Sequence, residues 1–131
     1  MDFILSDDQK MLRDTVRKIA EGKFAPIAAE IDEKEIFPKE NVKILVENGL
    51  LGVQIPEEYG GAGAGLLSLV LVVEEVARVC ASTSVTLTTQ ALATDPLLLA
   101  GSEEQKQNYL YRLEIGRASC RERVYSGVEI S

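Results

Sequence analysis

Residues 56–65 read Pro56-Glu57-Glu58-Tyr59-Gly60-Gly61-Ala62-Gly63-Ala64-Gly65, and this glycine-rich stretch lies between two apolar segments. The shorter segment covers residues 50–55 and the longer one covers residues 66–80. A strand, a glycine loop and a helix would form a dinucleotide site, but that fingerprint needs a glycine where the chain has Leu66. No Lys-Ser or Lys-Thr pair follows, so a phosphate loop is also excluded. The stretch is therefore predicted to be a flexible connector between helices.

The segment after the connector is apolar on nearly all sides, which predicts a helix buried over most of its circumference. Glu74 and Glu75 interrupt it, and we interpret them as solvated charges or as partners in a helix-end salt bridge. Cys80 at its end is predicted to be a small buried apolar residue. The uninterrupted apolar run is far shorter than the roughly 18 residues of a membrane span, so no membrane partner is expected.

Two capping boxes predict helix starts elsewhere in the chain. Ser6 with Gln9 opens the first helix, which Pro26 is expected to break or kink, and Ser102 with Gln105 opens the last one. The threonine-rich residues 82–96 fit a helix and a strand about equally well. The whole pattern predicts an all-α domain of five to six helices with short connections.

Composition excludes several classes of function. The net charge is −7, and the body of the chain has no basic stripe, so nucleic acid is not an expected partner. The chain has no histidine, which removes the commonest general base and metal ligand, and no metal site is predicted. No catalytic constellation of other residue types stands out. The sequence starts without a targeting signal, which favours the cytoplasm.

The order and spacing of several short motifs over residues 1–113 resemble the N-terminal domain of the acyl-CoA dehydrogenases of the short-chain, butyryl type. The Pro-Glu-Glu-Tyr-Gly-Gly motif at residues 56–61 is among the most specific marks of that family. The other matching motifs are Phe3-Ile4-Leu5-Ser6-Asp7-Asp8-Gln9, the stretch from Ala25-Pro26 through Asp32, Phe37-Pro38, Gly49-Leu50-Leu51-Gly52, Glu74-Glu75, Ala81-Ser82-Thr83 and Gly101-Ser102-Glu103-Glu104-Gln105-Lys106.

This resemblance implies a flavoenzyme in which a carboxylate removes the α proton of an acyl-CoA and FAD accepts a hydride from the β carbon. The product is a trans-2-enoyl-CoA, formed in fatty acid or branched-chain amino acid breakdown, and the electrons leave through an electron-transfer flavoprotein. The complete enzyme is expected to be a homotetramer. The cofactor supplies the redox chemistry, while the protein positions the substrate and supplies the base.

The family's flavin motif and its catalytic glutamate are not found in these 131 residues. We therefore assign no catalytic and no cofactor-binding residue, and expect the fragment itself to be inactive. In the family, the helix that corresponds to residues 82–96 borders the acyl tail. If that segment is helical, Ser84, Thr88 and Leu92 share one stripe at four-residue steps and are the predicted substrate-binding residues. The family usually has one residue more in this stretch, and such a deletion rotates one end of a helix by roughly 100°.

Residues 114–131 do not continue the family pattern and are predicted to be a separate tail. They resemble the in-frame translation of a sequencing adapter, and their three arginines and three glutamates balance. The competing hypothesis is a natural basic extension that binds an acidic partner. For the whole chain, the alternative to a fragment of a dehydrogenase is a stand-alone helical interaction module without flavin. The DNA downstream of codon 113 distinguishes these two hypotheses. A reading frame that resumes there with the flavin motif would identify the chain as a fragment of a dehydrogenase.

Overall fold

The computed structural model describes residues 4–114, which contain six α-helices and two shorter helical turns. A π-helical turn, Ala20–Phe24, joins the first two helices, and a 3₁₀ turn, Glu57–Tyr59, precedes the fourth. No strand is present among the described residues, so the all-α prediction is confirmed. The helices are α1 Asp7–Ile19, α2 Ala25–Glu33, α3 Lys39–Glu47, α4 Gly65–Ala77, α5 Ala81–Ala100 and α6 Glu103–Glu114.

Both predicted capping boxes are present. The Gln9 N–H donates to Ser6 Oγ at 3.2 Å, and the Ser6 N–H donates to Gln9 Oε1 at 3.0 Å. At α6 the Gln105 N–H donates to Ser102 Oγ at 3.2 Å, and the Ser102 N–H donates to Gln105 Oε1 at 2.9 Å. Each box satisfies backbone donors that a helix start leaves without partners, and this fixes where α1 and α6 begin.

Pro26 does not break the first helical segment. It lies in the first turn of α2, directly after the π-helical turn, where a missing N–H removes no essential helical bond. The path therefore stays helical from Asp7 to Glu33. Val16, Ala20 and Phe24 are completely buried along it, so the π-helical turn keeps one apolar face toward the core.

The core lies around α4, which packs between α1 and α5. Cys80 belongs to this core, as predicted, and its Sγ accepts a hydrogen bond from Thr83. A smaller second core joins α6 to α5 and to the 3₁₀ turn through Ile55, Tyr59, Leu110 and Leu113. The main core is built on Val16, Ala20, Phe24, Ile31, Leu45, Leu69, Val72, Val76 and Leu87.

The threonine-rich segment is a helix, which resolves the alternative that its composition left open. Thr86, Thr89 and Thr94 each donate a hydroxyl hydrogen bond to the carbonyl four residues earlier, at 3.3, 2.7 and 2.9 Å. The hydroxyls thus bond within the helix. Ser82 lies inside the first turn of α5, and α5 continues past Pro96 to Ala100.

Glu75 is the centre of an ion-pair network between α1 and α4. Its side chain is only 5% exposed, and Arg17 donates to both carboxylate oxygens, at 2.9 and 2.6 Å. Arg78 lies 3.4 Å from Glu75 and 2.6 Å from Glu21. The hydrogen bonds from Arg17 lower the pKa of Glu75, although burial opposes the shift. Glu75 is therefore a salt-bridge partner and not a solvated charge, whereas Glu74 is exposed.

Candidate functional site

A cavity of about 410 Å³ lies between the end of α2 with the turn that follows it and the first half of α5. Its volume is in the range of small-molecule sites. Residues far apart in the sequence form the two walls, because α2 and α5 pack together. The lining residues are Ile31, Asp32, Glu35, Ile36, Phe37 and Pro38 on one wall and Ser82, Val85, Thr86, Thr89 and Gln90 on the other.

The walls of this cavity suit an apolar group better than a phosphate. The hydroxyls of Thr86 and Thr89 already donate to carbonyls of α5. Asp32 and Glu35 are the only charged lining residues, and neither forms an ion pair within the described part of the chain. The negative charges of these two carboxylates would repel an anionic ligand in the cavity. A hydrocarbon group is the better fit.

The three predicted substrate-binding residues lie on α5 next to the cavity but do not line it. Ser84 is buried and donates its hydroxyl to the Ala81 carbonyl at 2.8 Å. Thr88 is exposed and donates to the Val85 carbonyl at 3.0 Å. Leu92 is 73% exposed. The structure therefore confirms the helix that carries them and leaves their contact with substrate a prediction.

A surface that we call the α5 apolar stripe consists of Val85, Leu92 and Leu99, which are all exposed. Thr88 lies between Val85 and Leu92 at helical spacing. Val85 also lines the cavity, so the stripe and the cavity share an edge. Apolar side chains exposed in a row mark a surface that a ligand or another part of a protein covers.

The glycine connector does not fit a flavin or another phosphate-bearing cofactor. Phosphate loops present free backbone N–H groups to the ligand. Here the N–H groups of residues 61–64 donate to carbonyls of Pro56, Gly52, Ile55 and Val53 at 2.8 to 3.2 Å. The connector is thus hydrogen-bonded onto residues 52–56, in contrast to the predicted flexible linker, and its amides have no bond left for a phosphate.

Tyr59 in the connector holds the start of α6. Its hydroxyl donates to Glu103 Oε2 at 2.8 Å, and Lys106 lies 3.3 Å from the same carboxylate's Oε1. The hydrogen bond to Glu103 is the main reason why the pKa of Tyr59 is raised to about 12. The aromatic ring is buried in the second core. Tyr59 therefore links the most family-specific motif to the last described helix.

We expect one tyrosine of this protein to ionise near pH 12, and Tyr59→Phe to abolish that step. The folded-state pKa is raised, so the stability that this tyrosine contributes is complete below pH 10 and is lost as pH rises through 12. Ultraviolet difference titration measures the ionisation, and urea unfolding at several alkaline pH values measures the stability. Tyr111→Phe is the matched control, since its side chain is exposed. Equal titration curves for wild type and Tyr59→Phe would contradict the assignment.

Sequence reasoning missed the cavity wall on α2 and the turn after it. Asp32, Phe37 and Pro38 belong to motifs of the family resemblance but were not predicted to line a site, and Glu35 carried no recognisable pattern. Glu35 has a positive φ of 51°, which is unusual for a residue other than glycine. No sequence signal marks such a backbone in a glutamate. Gln90 lines the opposite wall and was also not predicted.

Residues 4–114 contain no metal centre and no membrane-spanning helix. No group of three or more acidic, cysteine or histidine side chains is arranged to hold a metal ion there. No helix in the same range is long and apolar enough to cross a membrane. The predicted tail lies outside the described residues apart from its first residue.

Residues 6–117 match the family described as acyl-CoA dehydrogenase, N-terminal domain. Over 117 residues the chain is 46% identical to a short-chain specific acyl-CoA dehydrogenase of Clostridium acetobutylicum, covering 88% of this chain and 31% of the relative. Butyryl-CoA dehydrogenase of Megasphaera elsdenii has a similar structure, with a TM-score of 0.84 and 35% identity over 91% of this chain and 32% of that one.

A chain in the structure of the electron transferring flavoprotein of Acidaminococcus fermentans is also similar. The TM-score is 0.83 and the identity 40%, over 91% of this chain and 32% of that one. In each of these comparisons the chain spans about a third of the length of the protein that it matches.

Proposed function

The chain belongs to the acyl-CoA dehydrogenase family through its N-terminal domain, and from this premise we propose that it is the helical domain beside the acyl group in an FAD-dependent dehydrogenase of short-chain acyl-CoA. The observation that carries the proposal is the match over residues 6–117, together with 46% identity to a short-chain specific enzyme. The reaction proposed for the complete enzyme converts an acyl-CoA to a trans-2-enoyl-CoA.

The role of this domain in that reaction is to enclose the acyl chain. The predicted contact residues offer mainly carbon atoms, because the hydroxyls of Ser84 and Thr88 are engaged with carbonyls of α5. Leu92 adds an exposed apolar side chain one turn further on. Burial of apolar area against this surface contributes about 25 cal/mol per Å², which favours hydrocarbon over water there.

The carboxylates of Asp32 and Glu35 give the cavity end of this surface a negative charge. The phosphates of coenzyme A would be repelled there, so the substrate is oriented with its acyl end toward α5 and its coenzyme end away from it. We propose that FAD and the base for the α proton belong to other parts of the complete enzyme, where FAD would supply the redox chemistry.

The proposed partners of the complete enzyme are an electron-transfer flavoprotein and further copies of the same chain. Similarity to a chain in an electron transferring flavoprotein structure supports the first. The homotetramer rests on the family resemblance alone. For the 131 residues by themselves, we propose that they are inactive, because we assign no cofactor-binding residue among them, and we expect the purified protein to be colourless.

A domain exchange tests the proposed function. Residues 6–113 replace the corresponding segment of the Clostridium acetobutylicum enzyme, and the chimera is assayed with butyryl-CoA and an artificial electron acceptor. We expect a yellow protein with activity within about tenfold of the parent. The rate depends on how the acyl chain is positioned, and we propose that residues 6–113 position it as the replaced segment does. Adding Leu92→Trp to the chimera should raise the KM for butyryl-CoA.

The matched control is Met11→Trp in the same chimera, since Met11 is an exposed apolar residue on α1 and away from α5. A chimera that binds FAD but does not oxidise butyryl-CoA would contradict the proposal and favour the stand-alone interaction module. If Met11→Trp and Leu92→Trp had equal effects on KM, the assignment of the acyl chain to α5 would be wrong.

A further inference from the structure

Gln90 touches two features that are otherwise separate, the cavity and the end of α6. It is 4% exposed and lies in the middle of α5. Its Nε2 donates to the carbonyl of Leu113 at 2.6 Å, across 23 residues of sequence. The same side chain forms part of the cavity wall beside Thr86 and Thr89.

The acceptor of this hydrogen bond lies in the last turn of α6 that the structure describes. Leu113 is buried in the second core, and a buried carbonyl needs a hydrogen-bond donor. The amide of Gln90 supplies that donor and ties this turn of α6 to the middle of α5.

The two ends of α6 are held in different ways. Tyr59 binds the side chain of Glu103 at the start, in a contact that is exposed on the Glu103 side. At Leu113 Gln90 binds the backbone itself, and this bond holds the last described turn of α6 against α5. Thr94 donates to the Gln90 carbonyl at 2.9 Å and keeps this part of α5 regular.

We propose that Gln90 is a positioning residue, which fixes the last described turn of α6 relative to the cavity wall on α5. This goes beyond the proposed function and does not depend on it, because neither an acyl chain nor a flavin enters the argument. Such a residue couples the position of α6 to the shape of the cavity wall.

Gln90→Met and Gln90→Asn test this proposal in the full 131-residue chain. Methionine keeps the length and loses the donor, whereas asparagine keeps the amide and cannot reach Leu113. Thr86→Val is the matched control, since it alters the same cavity wall without a contact to α6. Hydrogen exchange is followed for the amides of α6's last turn and, as an internal reference, for those of Val72 and Val76 in the core.

We expect both Gln90 variants to speed exchange in the last turn of α6 about fivefold relative to the core amides. A side chain that only adds global stability would speed all these amides together and leave the ratio unchanged. The control should leave the ratio within about twofold of wild type. An unchanged ratio in both Gln90 variants would overturn the proposal.

A distance measurement gives a second and independent readout. Cys80 is replaced by alanine and Cys120 by serine. Spin labels are then placed at two exposed positions, Val85→Cys on α5 and Arg112→Cys on α6. The distance distribution should broaden in Gln90→Met and in Gln90→Asn and stay narrow in Thr86→Val. Equal widths in all variants would show that Gln90 does not position α6.

Discussion

Gly61→Ala is expected to destabilise the domain by roughly 3 kcal/mol or more, because the new methyl group has no space. A Cβ at this position would lie 2.5 Å from the Cβ of Ile55 and even nearer to the Ile55 carbonyl oxygen. That oxygen belongs to the backbone and accepts a hydrogen bond from Gly63 at 2.8 Å, so it cannot move without breaking the connector. Urea unfolding followed by circular dichroism measures the change.

Gly22→Ala is the matched control for that experiment. No heavy atom lies within 4 Å of a Cβ built at Gly22, which is inside the π-helical turn. Alanine restricts the unfolded chain more than glycine, so this variant should be more stable than wild type by about 0.5 to 1 kcal/mol. If both variants were destabilised equally, close packing on Ile55 would not be the reason for the glycine.

Arg17→Met is expected to cost about 2 kcal/mol of unfolding free energy, since it leaves the buried Glu75 carboxylate with only Arg78 at 3.4 Å. A fully buried pair would cost more, roughly 3 to 5 kcal/mol, but the Arg17 side chain is 43% exposed. Lys10→Met removes an exposed ion pair with Asp7 on the same helix and should change stability by less than about 0.5 kcal/mol. Chemical unfolding at neutral pH compares the two.

The ion-pair network of Glu75 with Arg17 and Arg78 predicts how the stability of the domain depends on pH. The pKa of Glu75 is lowered in the folded state, so its contribution is complete above the ordinary value of 4.5 and is lost as pH falls through the folded-state pKa. Glu75→Gln should therefore unfold with a flatter pH dependence below pH 4.5 than wild type. Glu30 and Glu103 also have lowered pKa values and act in the same direction, so the comparison is between variants. Parallel curves would mean that Glu75 is not linked to acid unfolding.

The parts of the fold that sequence predicted are those set by local chemistry. Ser6 with Gln9 and Ser102 with Gln105 were enough to place two helix starts, because a capping box needs only residues three positions apart. Burial of Cys80 followed from its apolar neighbours. The helix in the threonine-rich segment could not be decided in this way, since α5 packs against α4, and such packing overrides the local preference of threonine for strands.

The candidate site was less accessible to sequence reasoning than the fold. The stripe of Ser84, Thr88 and Leu92 followed from spacing and family resemblance, but the cavity beside it depends on how residues 31–38 meet α5. The hydrogen bond from Gln90 to Leu113 joins positions with no pattern in common. The ion pair between Glu75 and Arg17 joins residues 58 positions apart in the sequence. Sequence alone does not show that Glu75 is buried in this pair while the adjacent Glu74 is exposed.

The π-helical turn at residues 20–24 also bears on how the length of this chain can vary among relatives. Such a turn contains one residue more than an α-helix needs for the same path. Losing one codon here would therefore give an unbroken α-helix on the same path, and Ile31 would stay in the core with the cavity wall facing the same direction. A single-codon deletion within α1 or α2 would instead turn the helix that follows by about 100° and shift it by about 1.5 Å. Relatives that differ by one residue in this region are thus expected to place the gap in residues 20–24.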